Sequence, residues 1–318
     1  MDPLHKLLIT YSLTPHQLQR IAETSPRIEV IYAPDAEEAR KHFSSAEILF
    51  GDIPRDQFLL MPQLRWVQIS TVGADRFLYP ELLRSGVTLC CSRGMHRFQM
   101  TELLFGLMIG ITRKLFAYHD LQKENEWTTA LVKESDVIAG KTLGIVGLGS
   151  IGGTMAKVGK SFGMKVIGTK RTPQPVEYVD DVLPPSQLEH LLRDSDHVVN
   201  VTPLTPDTTK MFSEKEFKAM KPSAVFYNFG RGASVDSGAL IRALERGTIK
   251  AAALDTFEEE PLPKNNPLWN AKNIIITPHV GGPIPHYYHL LTEIFIDNLK
   301  RFLDGTPLLT VVDKAKGY

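Results

Sequence analysis

Three spaced glycines that directly follow an apolar run limit this chain to a small number of architectures. The run Leu143–Val146 predicts a buried strand, glycines stand at positions 147, 149 and 152, and a helical apolar pattern follows them. In a nucleotide-binding turn the first glycine makes the tight bend, the second lets backbone N–H groups approach a pyrophosphate, and the third lets the helix pack on its strand. Because a strand precedes the glycines and a helix follows, Gly147, Gly149 and Gly152 predict a dinucleotide site rather than a glycine-rich loop without a ligand.

Length and charge set the broad class of the protein. At 318 residues the chain can hold two domains, and its 43% apolar and 23% charged residues are ordinary for a globular protein. Lys plus Arg and Asp plus Glu both number 36, so the net charge of zero indicates neither a nucleic acid nor a membrane surface as partner. The first residues lack a secretory pattern, and the apolar run 103–111 is too short to cross a bilayer. We expect a cytoplasmic protein with no nucleic-acid partner and no membrane partner.

The two cysteines, Cys90 and Cys91, are adjacent in a predicted strand, where alternation points their side chains to opposite faces. They cannot cross-link distant parts of the fold, and no Cys/His group has the spacing of zinc ligands. The sequence therefore predicts a reducing compartment and no metal site.

Strands and helical segments alternate along the chain, which predicts an α/β protein with parallel sheets and helices on both faces. The strands expected before residue 92 are Leu7–Tyr11, Ile28–Tyr32, Ile48–Phe50, Arg65–Ile69 and Val87–Cys91. The strands expected after Gly140 are Leu143–Val146, Lys165–Ile167, His197–Val201, Ala224–Asn228, Ala252–Leu254 and Ile274–Thr277. A strand-like segment near the end of the chain, Pro307–Asp313, could return to the first domain, which would make the cofactor domain an insertion.

One long helix is expected over Glu102–Tyr118. Its first half is apolar nearly all round, and such a helix must be buried on several sides. Two interpretations of this burial remain open on the residues alone: a core helix within one chain, and a helix that pairs two subunits.

The end of the strand after the glycine turn bears on the choice of cofactor. An acidic residue about 20 positions past the glycines usually holds the adenosine ribose of NAD. The sequence has Lys170, Arg171 and Thr172 there instead, and two cations and a hydroxyl suit the 2′-phosphate of NADP. The alternative is a solvated basic turn. We expect NADPH to be favoured, while NAD remains possible.

Three polar clusters follow at the carboxyl ends of predicted strands, where open α/β sheets bind ligands. They are Asn228–Gly232, Asp255–Pro263 and Thr277–Gly282. Taken singly, each has an ordinary structural interpretation: a surface arginine, an acidic loop and a capping histidine. Taken together, they supply what hydride transfer to a 2-oxo acid needs. An arginine binds the carboxylate, a histidine gives a proton to the carbonyl oxygen, and a carboxylate orients the histidine and favours its charged form.

These motifs resemble the D-isomer-specific 2-hydroxyacid dehydrogenases, and the likeness covers nearly the whole chain. The matching segments are Thr71–Asp75, Gly147–Gly152, Thr202–Thr208, Asn228–Gly232, Asp255–Pro263, Pro278–Gly281 and Asn298–Gly305. The resemblance implies two doubly wound parallel-sheet domains, with a Rossmann dinucleotide domain inserted into a flavodoxin-like substrate domain. We place the substrate domain at residues 1–98 and 287–318, and the dinucleotide-binding domain at residues 99–286.

The resemblance also implies roles for individual residues. Arg231 would bind the substrate, Glu260 would support the base, and His279 would be the general acid/base in contact with the substrate. Val72 and Gly73 would offer backbone N–H groups to the substrate carboxylate. The further cofactor-binding residues implied by the family's motifs are Ser150 and Ile151 at the pyrophosphate, Asp255 at the nicotinamide amide, and Thr202, Pro203, Thr208, Phe229, Gly230 and Gly281. The family's long helix pairs subunits, which favours a homodimer through Glu102–Tyr118.

The reaction implied by the resemblance is reduction of a small 2-oxo acid to the D-2-hydroxy acid, with hydride from NADPH. Glyoxylate, hydroxypyruvate and longer 2-ketocarboxylates are the expected substrates. Three departures from the family's pattern, Thr71, His96 and Pro283, surround the substrate and leave its side chain open. A second class stays in view, because some proteins similar to this family are NAD(P)H-sensing, partner-binding modules that act as corepressors.

Overall fold

The structure is a computed structural model that describes residues 4–284 and 287–317. The chain divides into two compact units, one made of Met1–Met95 and Ile284–Tyr318 and the other of His96–Pro283. The expected domain boundary touches residues 285 and 286, which lie outside the described part of the chain, as do residues 1–3 of the amino-terminal segment and residue 318. The roles expected for the two domains, substrate binding and dinucleotide binding, remain predictions.

The first unit contains a five-stranded parallel sheet. Its strands are β1 (His5–Ile9), β2 (Ile28–Tyr32), β3 (Ile48–Phe50), β4 (Trp66–Gln68) and β5 (Thr88–Cys90). Their order, β2-β1-β3-β4-β5, is that of the flavodoxin-like doubly wound fold, and each neighbouring pair is parallel. The strands expected from apolar runs in this part of the sequence are confirmed.

The helices that follow these strands within residues 4–95 are α1 (Pro15–Ala22), α2 (Ala36–Arg40), α3 (Arg55–Phe58) and α4 (Pro80–Arg84). The start of α1 shows how the local sequence begins a helix. The hydroxyl of Thr14 accepts from the N–H of Gln17 at 3.3 Å, and Gln17 Oε1 accepts from the N–H of Thr14 at 2.8 Å. Pro15 follows with the φ angle that a first helical position requires.

The second unit contains a seven-stranded parallel sheet. Its strands are β6 (Thr142–Val146), β7 (Lys165–Thr169), β8 (Asp181–Leu183), β9 (His197–Asn200), β10 (Val225–Asn228), β11 (Ala251–Leu254) and β12 (Ile274–Ile276). The strand order is β12-β11-β10-β9-β6-β7-β8. The chain thus builds the sheet outward from β6, first to one side and then to the other, as in Rossmann dinucleotide-binding folds. The six strands expected here are confirmed. β8 was not expected, because it is a three-residue edge strand with one buried side chain, Leu183.

The helices of the second unit are α5 (Arg97–Thr112), α6 (Leu115–Lys123), α7 (Ser150–Ser161), α8 (Leu188–Asp194), α9 (Glu214–Ala219) and α10 (Ser237–Glu245). The single helix expected over Glu102–Tyr118 is wrong, because Lys114 has a left-handed φ of 59° and separates α5 from α6. The break brings the ring of Phe116 onto Gly110, where a Cβ would lie 2.7 Å from ring atoms. Packing of an aromatic ring on a glycine therefore accompanies the end of α5.

α5 lies in the core of the second unit. Leu104 and Met108 are fully buried, and they belong to one apolar cluster with Leu143 of β6 and Met155 of α7. Burial within one chain thus accounts for much of the apolar surface of this helix. In residues 4–284 and 287–317, no helix combines the length and the apolar character that a membrane crossing requires.

The last helix, α11 (Tyr287–Leu303), belongs to the first unit although it follows the second unit in the chain. Phe295 is fully buried, and its ring stacks on that of Phe50 at 4.0 Å and on that of Trp66 at 5.1 Å. These contacts cover one face of the first sheet with a helix from a distant part of the sequence.

The segment after α11 also belongs to the first unit. Asn298 donates to Gln68 Oε1 at 2.9 Å and accepts from the N–H of Leu309 at 2.6 Å, and both amide side chains are buried. The segment expected to be strand-like forms one antiparallel bridge, between Val311 and Cys90. The first unit is therefore built from two separate segments of the chain.

Candidate active site

The glycine turn joins β6 to α7 in the second unit. Gly147 has a φ of 110°, a conformation that glycine adopts without strain. Gly152 packs directly on this turn, since a Cβ there would lie 2.4 Å from the carbonyl oxygen of Gly147. At Gly149 a Cβ would meet nothing within 4 Å, which leaves the backbone open to a ligand.

The first turn of α7 offers donors to an anion. Within this fully described helix, the N–H groups of Ser150, Ile151 and Gly152 have no protein acceptor, whereas Gly153 donates to the Gly149 oxygen at 2.9 Å. Such groups, with the positive end of the helix dipole, hold the pyrophosphate in dinucleotide folds. The predicted glycines and the two residues at the start of α7 therefore lie together and fit a dinucleotide.

The end of β7 supports this turn from the neighbouring strand. Thr169 accepts from the N–H of Gly147 through its hydroxyl at 3.2 Å, and from the N–H of Leu148 through its carbonyl at 2.8 Å. The predicted basic turn comes next: Lys170 is half-buried, and Arg171 and Thr172 are exposed. The sequence did not lead us to expect this role for Thr169. Its position between an apolar strand and a basic turn could have indicated it.

Arg231 follows β10, and a buried polar network holds the backbone on which it stands. Asn200 at the end of β9 donates to Asn228 Oδ1 at 2.9 Å and to Ser234 Oγ at 2.8 Å. Ser234 Oγ donates to the Arg231 carbonyl at 2.6 Å, and Asn228 donates to Thr256 Oγ1 at 3.0 Å. The four side chains that support Arg231 are at most 3% exposed, so these bonds form without competition from water.

The Arg231 loop and the Glu260 loop touch at Gly232. A Cβ on Gly232 would lie 1.8 Å from the carbonyl carbon of Phe257 and 2.2 Å from the nitrogen of Glu258. Both are backbone atoms, so they could not make room without displacing the loop. The lack of a side chain at Gly232 is what lets the two loops pack backbone to backbone.

Glu260 and His279 form the pair that the sequence predicts. His279 Nδ1 lies 2.7 Å from Glu260 Oε2, and Glu260 Oε1 accepts from the N–H of Phe257 at 2.8 Å. An ionised carboxylate can only accept hydrogen bonds, so Nδ1 carries a proton and Nε2 is the ring nitrogen left for a reacting group. The His279 and Glu260 side chains are 47% and 35% exposed, so a small molecule can reach the pair.

Asp255 holds the backbone of the His279 loop. Its carboxylate accepts from the N–H of Val280 at 3.0 Å, from the N–H of Gly281 at 2.9 Å and from the hydroxyl of Thr277 at 2.6 Å. These bonds stabilise His279 at a φ of 53°, which is uncommon for a residue with a side chain. Asp255 is 1% exposed, and its expected contact with the nicotinamide amide stays a prediction.

His96 brings a second imidazole to the same place. Burial first, and then the positive charges of His279 and Arg231, lower the pKa of His96 to about 4, so this imidazole is neutral near pH 7. Its ring also lies against the backbone of Gly282, where a Cβ would be 2.7 Å from Nδ1. Because both charges act on one ring, the Arg231 and His279 loops converge beside His96.

The other predicted cofactor residues follow β9 and β10. Thr202 donates to Asn200 Oδ1, at the end of β9, through its N–H at 3.1 Å and through its hydroxyl at 2.8 Å. Thr208 Oγ1 donates to the Pro203 carbonyl at 2.7 Å, which closes this loop, and a Cβ on Gly230 would lie 2.8 Å from the Thr202 oxygen. Phe229 is 2% exposed, so its side chain belongs to the core and only its backbone could meet a cofactor.

Val72 and Gly73 lie in the first unit, in the loop after β4. Their N–H groups have no acceptor among the described residues, while Thr71 Oγ1 donates to the Gly73 carbonyl at 2.8 Å. Backbone N–H groups left over in this way suit an anion. The expected contact of Val72 and Gly73 with a substrate carboxylate stays a prediction.

The described residues, 4–284 and 287–317, contain no group of three or more His, Cys, Asp or Glu side chains arranged to hold a metal ion. Cys90 and Cys91 are both buried, and neither forms a disulfide. The side chains that converge in the second unit are therefore a guanidinium, a carboxylate and two imidazoles.

A protein-family model matches the second unit of this chain. Residues 105–281 match the model described as "D-isomer specific 2-hydroxyacid dehydrogenase, NAD binding domain", which is more than half of the chain. The matched segment contains the glycine turn, the basic turn after β7 and the loops that carry Arg231, Glu260 and His279.

Individual proteins are similar over most of the chain. The glyoxylate reductase of Thermococcus litoralis is 35% identical over 271 residues, which are 80% of this chain and 78% of that protein. A solved D-isomer specific 2-hydroxyacid dehydrogenase family protein from Aeromonas salmonicida has a TM-score of 0.86 at 33% identity, over 98% of this chain and 99% of its own. The NADPH-dependent glyoxylate/hydroxypyruvate reductase of Sinorhizobium meliloti, solved with NADP and sulfate, has a TM-score of 0.85 at 29% identity, over 99% of this chain and 100% of its own.

Proposed function

This chain belongs to the D-isomer specific 2-hydroxyacid dehydrogenase family, whose enzymes are NAD(P)-dependent, and from that premise we propose that it reduces small 2-oxo acids to D-2-hydroxy acids with NADPH. The proposed substrates are glyoxylate, hydroxypyruvate and longer 2-ketocarboxylates. The first two are supported by the names of the relatives from Thermococcus litoralis and Sinorhizobium meliloti.

The loops after β10, β11 and β12 divide the chemistry among three side chains. The Arg231 guanidinium binds the substrate carboxylate and polarises the carbonyl. His279 donates the proton on Nε2 to the carbonyl oxygen, while Glu260 accepts from Nδ1 and stabilises the imidazolium. When bound, NADPH supplies the hydride that completes the reduction at the carbonyl carbon. His279 then regains its proton from solvent.

One observation supports this proposal most. His279 Nδ1 lies 2.7 Å from Glu260. The loop that carries Glu260 packs at Gly232 against the loop that carries Arg231. The test is the fall in NADPH absorbance when glyoxylate, hydroxypyruvate, pyruvate and 2-ketobutyrate are added in turn. Turnover of at least one acid to a D-configured product is the expected result.

Other outcomes of the same assay contradict the proposal. A hydroxy acid of L configuration formed from hydroxypyruvate, pyruvate or 2-ketobutyrate would be incompatible with the D-specific reaction class. Tight NADPH binding without turnover of any acid would favour the second candidate, an NAD(P)H-sensing, corepressor-like module.

We propose that NADPH is preferred over NADH, although both fit the glycine turn. Lys170 is half-buried directly after Thr169, which supports the turn, and Arg171 and Thr172 are exposed beside it. Two cations at this position attract the 2′-phosphate that distinguishes NADP from NAD. The Sinorhizobium meliloti relative, described as NADPH-dependent, supports the same preference.

Replacing Lys170 and Arg171 together with Ala is expected to weaken NADPH binding by about 10- to 100-fold, because each removes a hydrogen bond worth about 0.7–1.4 kcal/mol at a partly exposed position. NADH binding should change less than about twofold. Titration of NADPH and NADH by fluorescence measures both. The control replaces Lys215 and Lys218, two lysines on α9, with Ala. Equal losses for the two cofactors would assign the pair to a solvated turn.

We also propose a homodimer through the region of α5 and α6. Large apolar side chains are exposed on and after these helices: Phe98 is 58% exposed, Leu115 53% and Trp127 97%. Exposed apolar side chains concentrated in one region indicate a protein interface. Light scattering is expected to give twice the 35.6 kDa of one chain at micromolar concentration. The mass of a single chain at every concentration would contradict the dimer.

The proposed partner is therefore a second copy of this chain together with a small 2-oxo or 2-hydroxy acid. The net charge of zero supports neither a nucleic-acid nor a membrane partner. We propose a cytoplasmic location, which the two free thiols of Cys90 and Cys91 support.

A further inference from the structure

Two phenols bind the backbone of Ser70 in the first unit, one at its N–H and the other at its carbonyl oxygen. The N–H of Ser70 donates to the hydroxyl oxygen of Tyr11 at 2.7 Å, and the hydroxyl of Tyr287 donates to the Ser70 carbonyl. Ser70 is two residues before Val72, in the loop that follows β4. Both polar groups of the Ser70 backbone are thus fixed by side chains from distant parts of the sequence.

The direction of each hydrogen bond follows from the neighbours of the phenols. Tyr11 donates its proton to Asp52 Oδ1 at 2.5 Å, and Asp52 is also paired with Arg76. The Tyr11 oxygen is therefore left to accept from Ser70. Burial, followed by the charge of Asp52, raises the pKa of Tyr11 well above its usual value, and burial raises the pKa of Tyr287 to about 12. Both phenols keep their protons at neutral pH.

Three further carbonyl groups of the same loop, those of Ile69, Thr71 and Gly73, are also bound by protein donors. Ser92 donates through its hydroxyl to the Ile69 oxygen at 2.8 Å and through its N–H to the Thr71 oxygen at 2.9 Å. The Gly73 oxygen accepts from Thr71 Oγ1 at 2.8 Å. Four carbonyl oxygens of this stretch, which would repel an anion, are thus held by the protein, and they belong to Ile69, Ser70, Thr71 and Gly73.

The N–H groups of the loop show the opposite pattern. In the described part of the chain, the N–H groups of Thr71, Val72, Gly73 and Ala74 have no protein acceptor. Consecutive N–H groups without a protein acceptor, beside carbonyl oxygens that already accept hydrogen bonds, can donate to one anionic ligand. The Ser70 carbonyl and the Thr71 N–H share one rigid peptide plane, so the bond from Tyr287 sets the plane from which this run begins, and the bond to Tyr11 fixes the preceding Ile69–Ser70 plane.

We propose that Tyr287 and Tyr11 are positioning residues for substrate binding, which fix the two peptide planes on either side of the Ser70 Cα so that the N–H groups of Val72 and Gly73 meet the substrate carboxylate. The inference rests on the proposed 2-oxo acid reduction. Neither phenol is proposed to touch the substrate. Each acts through its hydrogen bond to the backbone of Ser70.

The alternative is that the two tyrosines only pack. Tyr11 contacts the ring of Phe50 edge-on at 5.3 Å, and Tyr287 contacts that of Tyr288 at 5.6 Å. Phenylalanine keeps these ring contacts and removes only the hydroxyl. A Tyr→Phe substitution therefore separates the positioning role from packing.

The test is Tyr287→Phe in the full-length protein. We expect KM for the best 2-oxo acid to rise about tenfold, the equivalent of one hydrogen bond of about 1.4 kcal/mol, with kcat within about twofold of wild type. KM changes and kcat does not, because a carboxylate contact is made equally in the ground state and the transition state. Affinity for oxamate, a carboxylate isostere of 2-oxo acids, should fall by the same factor, and affinity for NADPH should not change.

A matched control is Tyr79→Phe, since the Tyr79 hydroxyl donates to the Ile53 carbonyl at 3.1 Å elsewhere in the same unit. Tyr11→Phe is a second variant, to be used if Tyr287→Phe folds poorly, and it is also expected to raise KM. Unchanged KM and oxamate affinity in a folded Tyr287→Phe or Tyr11→Phe protein would overturn the positioning role. If the wild type reduces no 2-oxo acid, the proposed function fails separately, and oxamate affinity alone then decides whether the phenols position the loop.

Discussion

Replacing His279 with Gln is expected to lower kcat for 2-oxo acid reduction by about 10²- to 10⁴-fold, the usual contribution of a positioned acid. Glutamine keeps a polar side chain but has no proton that it can give up to the carbonyl oxygen. Nδ1 lies 2.7 Å from Glu260, so Nε2 is the ring nitrogen that would donate to the carbonyl oxygen. NADPH affinity should stay within about twofold, because the proposed contacts with the pyrophosphate and the 2′-phosphate lie at the glycine turn and the basic turn, and none is made by the His279 side chain. Steady-state rates and a fluorescence titration measure the two quantities.

The chain offers a matched control for this substitution. His190 on α8 also lies beside a carboxylate, with Nε2 3.5 Å from Asp194, and its side chain is 53% exposed. His190→Gln should leave kcat unchanged. If His279→Gln kept more than about a tenth of the wild-type kcat, a different group would have to supply the proton.

Replacing Gly232 with Ala is expected to lower both stability and activity. The added Cβ would lie 1.8 Å from the Phe257 carbonyl carbon, and the atoms it meets belong to the backbone rather than to a side chain that can rotate. The Arg231 loop and the Glu260 loop must then separate. Overpacking of this kind costs about 1–3 kcal/mol or more, which lowers the melting temperature of a unit of this size by roughly 2–10 °C.

Activity should fall further than stability in this variant, because the two loops that are forced apart carry the Arg231 guanidinium and the Glu260 carboxylate that orients His279. A displacement of about 1 Å can lower a rate by about 10²-fold. Calorimetry and kcat/KM of the remaining folded protein measure the two effects. The control is Gly86→Ala, since a Cβ on exposed Gly86 would meet nothing within 4 Å. Wild-type melting temperature and kcat/KM for Gly232→Ala would show that the loops are not packed as described.

The parts of the fold that depend on local patterns could be predicted from the sequence. Apolar runs of three to five residues predict strands wherever both faces are buried, as in β9, where each residue is buried. β8 lies at a sheet edge with Leu183 as its one buried residue, so it has no apolar run to detect. The break at Lys114 depends on Phe116 packing against Gly110, a tertiary contact that no local pattern announces.

The candidate site divides in the same way. The glycine turn and the charged residues after strands could be predicted, because their chemistry shows in the residue types. Asn200 was missed, and Asn228 was named only as the first residue of a polar cluster, because their pairing depends on the register of β9 and β10. The support of the His279 loop by Asp255 likewise appears only once β11 and β12 are neighbours.

The return of α11 to the first sheet has a consequence for protein synthesis. A ribosome completes β1 to β5 first, but Phe295, which covers Phe50 and Trp66, emerges only after every strand of the second unit has been made. The inserted unit can therefore fold while the earlier one still exposes an aromatic face. The first sheet therefore gains the helix that covers its aromatic face only when the carboxyl-terminal part of the chain has been made.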